Sequence, residues 1–425
     1  MFRIILFLYM VFLPLTIVLF DIGGVIITPY YVLAPTIAFL FLFMRYKLDD
    51  IGKIIVFASF FIIISSLLSP LKISSLFHFM LYVFTSVMAM SMLGTIDEKI
   101  VKVNSTILIV LGVDVIIAFI FYHIGVDNVF TKLFFPYQID ITNSVRFASF
   151  TSEPSYLAFI LSICMACLIF LKDYVNHVNI RWYFVIYVAS IIVAKTTFGF
   201  LLLLVVFMYA IYKGILFKSN IPKPALIILS IIAFVTLFVI LSVSLDNNMY
   251  FERLMSAFRL LYGSGSIEGF ATNLAKTDGS ASLRIVPSVR YFSTMNWIDI
   301  HTWIGHGFGS DSAFFSSFIM GNKSEIESLQ LGYFPAAFYN FGLIGASVLL
   351  YAIIKIVKKT PAVFGAIFAL SIFNCNVATQ LFWFIVIECC WLTQYQYNRA
   401  AQLKIKKVKY RIFVRKLARK QKSVQ

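Results

Sequence analysis

The chain has 425 residues, 61% of them hydrophobic and only 13% charged, with a formal net charge of +16. Soluble domains carry about 25% charged residues, so a water-soluble enzyme and a disordered chain are both excluded. The five cysteines all fall inside apolar runs, which excludes a disulfide scaffold, and the apolar runs are continuous rather than alternating over about ten residues, which excludes a β-barrel.

Apolar runs near the length needed to cross a bilayer, about 20 residues, recur along the chain. In chain order, the predicted spans are 4–20, 25–43, 54–69, 73–93, 103–124, 155–171, 181–195, 198–216, 225–245, 331–357, 361–376 and 378–395. The first has Arg3 before it and no small-residue cleavage site after it, so it reads as a retained helix. The stretch from Trp182 to Tyr212 is too long for one helix and short for two. Lys195-Thr-Thr-Phe-Gly199 in its middle reads as a turn. With that turn, both termini lie on one side together with Arg3, Arg45, Lys47, Lys53, Lys99, Lys102, Lys172, Arg181, Lys213, Lys218, Lys223, Lys355, Lys358, Lys359 and the basic residues from Arg399 to Lys422. The positive-inside rule makes that side the cytoplasm. The expectation is an all-α polytopic membrane protein of about 12 transmembrane helices, with both termini cytoplasmic. Residues 1–398 form the transmembrane domain and 399–425 a basic cytoplasmic tail. The tail lies beside a membrane and is expected to rest on anionic lipid, with no nucleic-acid partner.

Cys164-x-x-Cys167 is an i, i+3 helical pair and reads as core packing. Asp114 and Glu388 are ionisable residues within helices. Asp114 is expected either to face a glycan-binding cavity or, the favoured reading, to pair with a neighbouring helix, and Glu388 to reach the cytoplasmic interface.

Two outward segments are long, 125–153 and 246–330, and loops of that length tend to carry function. The first ends in Arg146-Phe-Ala-Ser-Phe-Thr-Ser-Glu153-Pro154-Ser155. Pro154 fits the first position of a helix, with Glu153 or Ser152 as its N-cap. That helix end carries free N–H groups and partial positive charge, which together with Arg146 suit an anion. Glu153 capping the helix and pairing with Arg146 is the plain alternative. The second segment shows helical patterns at Met249–Tyr262 and Ser282–Met295, and holds Arg284 and Arg290. Arginine suits phosphate because its planar fork donates parallel hydrogen bonds. Then follows His301-Thr-Trp-Ile-Gly305-His306-Gly307-Phe-Gly309, in which the glycines predict a tight turn with close backbone approach. His306 is either a general base or a plain loop histidine. Tyr137, Tyr291, Trp297 and Trp303 suit sugar stacking and interfacial anchoring equally.

An Arg-x-x-x-x-x-x-Glu-Pro-Ser segment before a mid-chain helix stands first in this order. A Ser-x-x-x-Arg in one large outward loop, a Trp-Ile-Gly-x-Gly-x-Gly stretch and a closing Tyr339-Asn340-Phe-Gly342-Leu-Ile-Gly345 helix follow. This layout resembles the Wzy-type polysaccharide polymerases of the O-antigen polymerase/ligase family. The resemblance implies a GT-C-like fold in the bacterial cytoplasmic (inner) membrane. It implies a metal-independent glycosyltransferase that needs no cofactor. The donor would be an oligosaccharide on undecaprenyl diphosphate, polymerised at the outer face into O-antigen, capsule or exopolysaccharide. Membrane lipids and a chain-length regulator are its implied further partners. By position, Arg146 and Arg284 match the family's arginines and Glu153 its acidic residue. Ser149 stands where glycine is common, and His306 where an apolar residue is usual. The candidate set is therefore Glu153 and His306 as catalytic groups, with Arg146, Arg284, Arg290, Tyr339 and Asn340 binding substrate. The residues suit the chemistry: a departing diphosphate needs fixed positive charge, and the acceptor hydroxyl needs a base. A flippase for the lipid-linked glycan and an O-antigen ligase are the rival readings. The flippase would need internal repeats and mid-membrane polar residues; the ligase typically shows a His-Asn pair before the helix that closes the loop.

Overall fold

The computed structural model describes residues 2–16, 20–22, 25–67, 73–126, 137–139, 145–151, 153–174, 179–215, 279–316 and 332–400, with isolated positions between 263 and 273. The predicted span 225–245, the Met249–Tyr262 pattern and the tail beyond residue 400 lie outside the described residues.

The described chain is predominantly helical. Helix α1 is Phe2–Phe12, α2 Pro29–Phe43, α3 Asp50–Leu67 and α4 Ile73–Met92. A 3-10 segment, Leu93–Lys99, leads into α5, Ile100–His123. Then come α6 Pro154–Leu171, α7 Ile180–Ala194 and α8 Thr197–Tyr212. The long segment before the closing helices contributes α9 Gly279–Thr294, α10 Ile300–Ile304 and α11 Ser310–Ser316. The chain closes with α12 Tyr333–Val357, α13 Ala362–Ser371 and a last helix, α14, over 380–400. Two short antiparallel hairpins interrupt this, β1 Phe20–Ile22 with β2 Val25–Ile27, and β3 Tyr137–Ile139 with β4 Val145–Phe147. Three stretches are long and apolar enough to cross a membrane: Leu76–His123, Pro154–Leu171 and Tyr333–Val357. A helix satisfies its own backbone groups, which is why apolar surroundings select it.

Several boundaries differ from expectation for physical reasons. The first helix stops at Phe12 rather than residue 20, because Pro14 has no N–H to continue the ladder and restricts Leu13 before it. Phe20 at the end of that predicted span, and Val25–Ile27 at the start of the next, fall in the β1–β2 hairpin instead. Helix α13 is shorter than its predicted span, and α14 runs on to residue 400. The turn inside 182–212 is present. Helix α7 ends where Lys195 adopts a left-handed conformation (φ 50°), and Thr196 caps α8 by accepting from Gly199 N at 2.7 Å.

Among the described residues, Arg3, Lys99, Lys102, Lys172, Lys213 and Arg399 gather at one end of the bundle. Arg3 pairs with Glu98 at 3.3 Å, Lys213 with Asp173 at 2.5 Å, and Asn398 donates to Asp97 at 2.5 Å. These contacts tie the start of α1, the α4–α5 junction and the ends of α6, α8 and α14 together. At the centre stand α6 and the middle of α14, neither with an outward-facing side. Every residue of α6 is buried, and so is every residue from 381 to 392 in α14. Helix α5 packs on α6 and α7, α6 on α8, and α3 on α12. The periphery is apolar instead: Phe57, Phe60 and Ile64 on α3, Phe39 and Leu42 on α2, and Trp182 on α7 are exposed. Apolar side chains facing both the core and the surroundings are what an apolar solvent permits.

Glu388 corrects the expectation that it reaches an interface. It is fully buried in α14, where its Oε2 accepts from Asn104 Nδ2 of α5 at 3.2 Å and from Cys167 Sγ of α6 at 3.5 Å. The cause is the central position of α14, which carries Glu388 to a junction of three helices rather than to a rim. The five cysteines are buried free thiols, as a packing role requires.

Candidate functional site

Two constructions stand at the end of the bundle opposite the basic residues. The first surrounds the N-terminus of α6. Pro154 takes the first helical position and Glu153 the N-cap, with extended backbone (φ −147°, ψ 150°). The Glu153 carboxylate makes no capping bond to a backbone N–H of its helix. Its Oε2 accepts from the Ser155 hydroxyl at 2.9 Å, and Ser155 Oγ in turn accepts from Asn374 Nδ2 at 3.1 Å. Asn374 lies in the turn after α13, where its carbonyl also accepts from Tyr156 OH at 3.3 Å. A carboxylate, a hydroxyl and an amide thus converge on a helix end whose dipole favours negative charge.

The loop that carries Arg146 is anchored from below. Ser149 adopts a left-handed conformation (φ 52°), which explains why glycine suits this position. Its hydroxyl donates to Asp114 Oδ2 at 2.6 Å, both groups being buried. Asp114 therefore does pair outside its own helix, with the loop rather than with another helix. Phe150 O accepts from Thr16 N at 2.8 Å and from Thr16 Oγ1 at 3.1 Å, fixing the same loop to the segment after α1. Thr151 Oγ1, buried, bonds Ala148 O and Glu153 O at 2.6 and 2.9 Å. Arg146 stands in β4 opposite Gln138.

The second construction is a break in α12. Gly342 has φ 68° and ψ 174°, which interrupts the helix about one-third along its length and strands carbonyls at the end of its first segment. The α9–α11 segment caps them. Phe338 O accepts from Tyr291 OH at 3.1 Å, Tyr339 O from His306 N at 2.9 Å, and Asn340 O from Gly307 N at 3.1 Å. The Asn340 side-chain oxygen accepts from Ser310 Oγ and Asp311 N, each at 3.1 Å. Gly305, Gly307 and Gly309 all have positive φ, as the predicted tight turn requires. A Cβ on Gly305 would meet Asn340 O at 2.2 Å, so the two backbones touch here.

This arrangement defines what His306 and Tyr339 do. Their rings stack in parallel at 4.2 Å, and Phe314 stacks on Tyr339 at 4.4 Å. Protein rings pack against Tyr339, which argues for a positioning role over a sugar platform. His306 Nδ1 lies 3.3 Å from Tyr339 O. A carbonyl only accepts, so the neutral ring making that bond carries its proton on Nδ1 and keeps its lone pair on Nε2. Burial holds the imidazole below its ordinary pKa, a neutral base at pH 7. Burial also pushes the Tyr291 phenol up to about 12, which keeps it a donor. Tyr291 is an interior ring, whereas Trp297 and Trp303 are exposed.

His306, Tyr339 and Asn340 are thus assembled in one place, and Glu153 with Ser155 and Asn374 in another. The turn after α13 also meets the start of α12, where Ile372 O accepts from Tyr333 N at 2.8 Å. Arg284 and Arg290 lie on the backbone of α9, which packs on α12; their side chains and that of Arg146 lie outside the described residues. Among the described residues, no group of three or more His, Cys, Asp or Glu is placed to hold a metal ion. Asn374 carried no signal in the sequence, since a lone asparagine in a short turn looks like any other. Ser155 stood in the Glu-Pro-Ser motif but had no assigned role.

No family model, curated protein or solved structure matches the chain.

Proposed function

We propose that this chain is a metal-independent, GT-C-like glycosyltransferase with about 12 transmembrane helices. It polymerises oligosaccharide repeats carried on undecaprenyl diphosphate, at the outer face of a bacterial cytoplasmic membrane. The observation that carries this reading is the Glu153–Ser155–Asn374 cluster at the outward end of a fully buried helix, next to the strand that holds Arg146. Arg146 and Arg284 bind the diphosphate and stabilise it as it leaves. Glu153 accepts the proton of the acceptor hydroxyl as that oxygen attacks the anomeric carbon, in a single displacement. The hydroxyl of Ser155 donates to this carboxylate and holds it in place. His306, a neutral base by its environment, is the second candidate for that proton. Arg290, Tyr339 and Asn340 complete the substrate-binding set. The basic end of the bundle and both termini face the cytoplasm, and the tail rests on anionic lipid.

A deletion strain tests this reading against its rivals. Loss of the polymerase leaves single repeats on the lipid carrier facing outward. Repeats facing inward would mark a flippase, and finished polymer left on the carrier a ligase; either result refutes the proposal.

A further inference from the structure

The turn between α9 and α10 and the helix after it show a surface unlike an ordinary solvated loop. Ile298 is 94% exposed, Ile300 63%, Trp297 61% and Trp303 40%. Between Arg290 and Asp311 the only charged residue is Asp299. Meanwhile the polar groups of this tip bond one another. Trp303 Nε1 donates to Trp297 O at 3.1 Å, Thr302 Oγ1 to Asn296 O at 2.6 Å, and Asn296 Oδ1 accepts from Ile298 N at 3.1 Å. Asp299 caps α10 by accepting from His301 N at 2.9 Å. A loop built for water would do the reverse. Satisfied polar groups beneath an apolar crown are what a bilayer boundary demands, and tryptophan is enriched there.

Position points the same way. Helix α10 packs against α3. The end of α3 remote from the basic residues exposes Ile64 and Leu67, at 62% and 64%. The tip therefore continues the apolar stripe that α3 presents outward. It is also rigidly mounted, because a Cβ on Gly342 would meet Trp303 O at 2.3 Å. Helix α10 sits directly on the break in α12.

We propose that the Trp297–Trp303 tip inserts into the membrane interface at the outward face of the bundle, with the headgroup–acyl boundary of the lipid as its partner. The tip anchors the outward segment to the bilayer and fixes the Gly305–Gly309 turn, with His306, at headgroup level. This goes beyond the glycosyl-transfer reading and holds whether or not that reading does.

The test uses the full chain in phosphatidylethanolamine/phosphatidylglycerol vesicles. Ile298→Cys is labelled with an environment-sensitive maleimide dye; the five native thiols are buried, so the label reports the new one. The expected result is blue-shifted emission, quenching by nitroxide lipids and protection from aqueous iodide. Ile300→Cys repeats the measurement should the first variant fail to fold. Emission typical of water with full iodide quenching overturns the proposal. Protection from iodide without nitroxide quenching also overturns it, because protein or glycan then covers the tip instead of lipid.

Discussion

Replacing Gly342 with alanine should destabilise the protein severely. The backbone there, φ 68° and ψ 174°, lies in a region essentially reserved for glycine, and another residue forced into it costs about 1–3 kcal/mol. The added Cβ would meet Trp303 O at 2.3 Å, Trp303 C at 2.4 Å and Gly305 N at 2.5 Å. All three are backbone atoms, so no rotamer change relieves the contact. The Gly305–Gly309 turn must retreat, which breaks the bonds from His306 N and Gly307 N to the stranded carbonyls, each worth about 1 kcal/mol net. Together these effects cost about 3–5 kcal/mol, a large share of the roughly 5–15 kcal/mol that holds a typical protein folded. Gly365→Ala is the control. Its nearest neighbour would be Val357 Cγ1 at 3.9 Å, and alanine is favoured over glycine within a helix by about 0.5–1 kcal/mol. Thermal unfolding in detergent or nanodiscs should give a much lower Tm for G342A and an unchanged or raised Tm for G365A. Equal melting of G342A and wild type would refute the broken-helix cap.

Four further outcomes follow from the geometry. Ser149→Gly relieves the left-handed strain while losing the bond to Asp114, whereas Ser149→Ala keeps the strain and loses the bond; the alanine variant should melt lower, with the orphaned carboxylate costing about 1–3 kcal/mol in both. Thr196→Ala removes the cap on Gly199 N and should cost about 1 kcal/mol in chemical unfolding, while Lys195→Gly should not destabilise. The His306 pKa is depressed by burial, so the unfolded chain takes up the proton first; stability present above the ordinary histidine pKa is lost as pH falls through the folded value, and His306→Phe should flatten that acid-side loss in a series of Tm measurements. Arg146→Ala and Arg284→Ala should each abolish polymer while single lipid-linked repeats persist, and normal chain lengths on a gel in both would remove them from the diphosphate site.

What the sequence discloses depends on the range of the interaction. Local signals read correctly: the turn at Lys195, where a helix-ending lysine and a capping threonine act within five residues, and Pro154 and Glu153 at the start of α6. The glycine turn at 305–309 also read correctly, because positive φ is a property of single residues. Pro14 carried a local signal too, but the apolar run around it masked the stop at Phe12. Contacts between distant segments were not legible. Asn374 reaches Ser155 across 219 positions, and Asn104 reaches Glu388 across 284. Hydrophobic pattern cannot rank helices by depth when every helix is apolar, so the burial of Glu388 in the central α14 was misjudged. The break at Gly342 escaped notice for a related reason. Its glycine sits in a largely apolar helix, and only the α9–α11 segment folding back onto it makes the break stable.

The most direct test of glycosyl transfer at the outward end of α6 is reconstitution in vesicles with an undecaprenyl-diphosphate-linked repeat, read as a gel ladder. Wild-type protein should convert the repeat into a ladder with a chelator present, and Glu153→Gln should leave the repeat unpolymerised while still folding. A Glu153→Gln ladder as long as that of the wild type, or no ladder from well-folded wild type, would contradict the account.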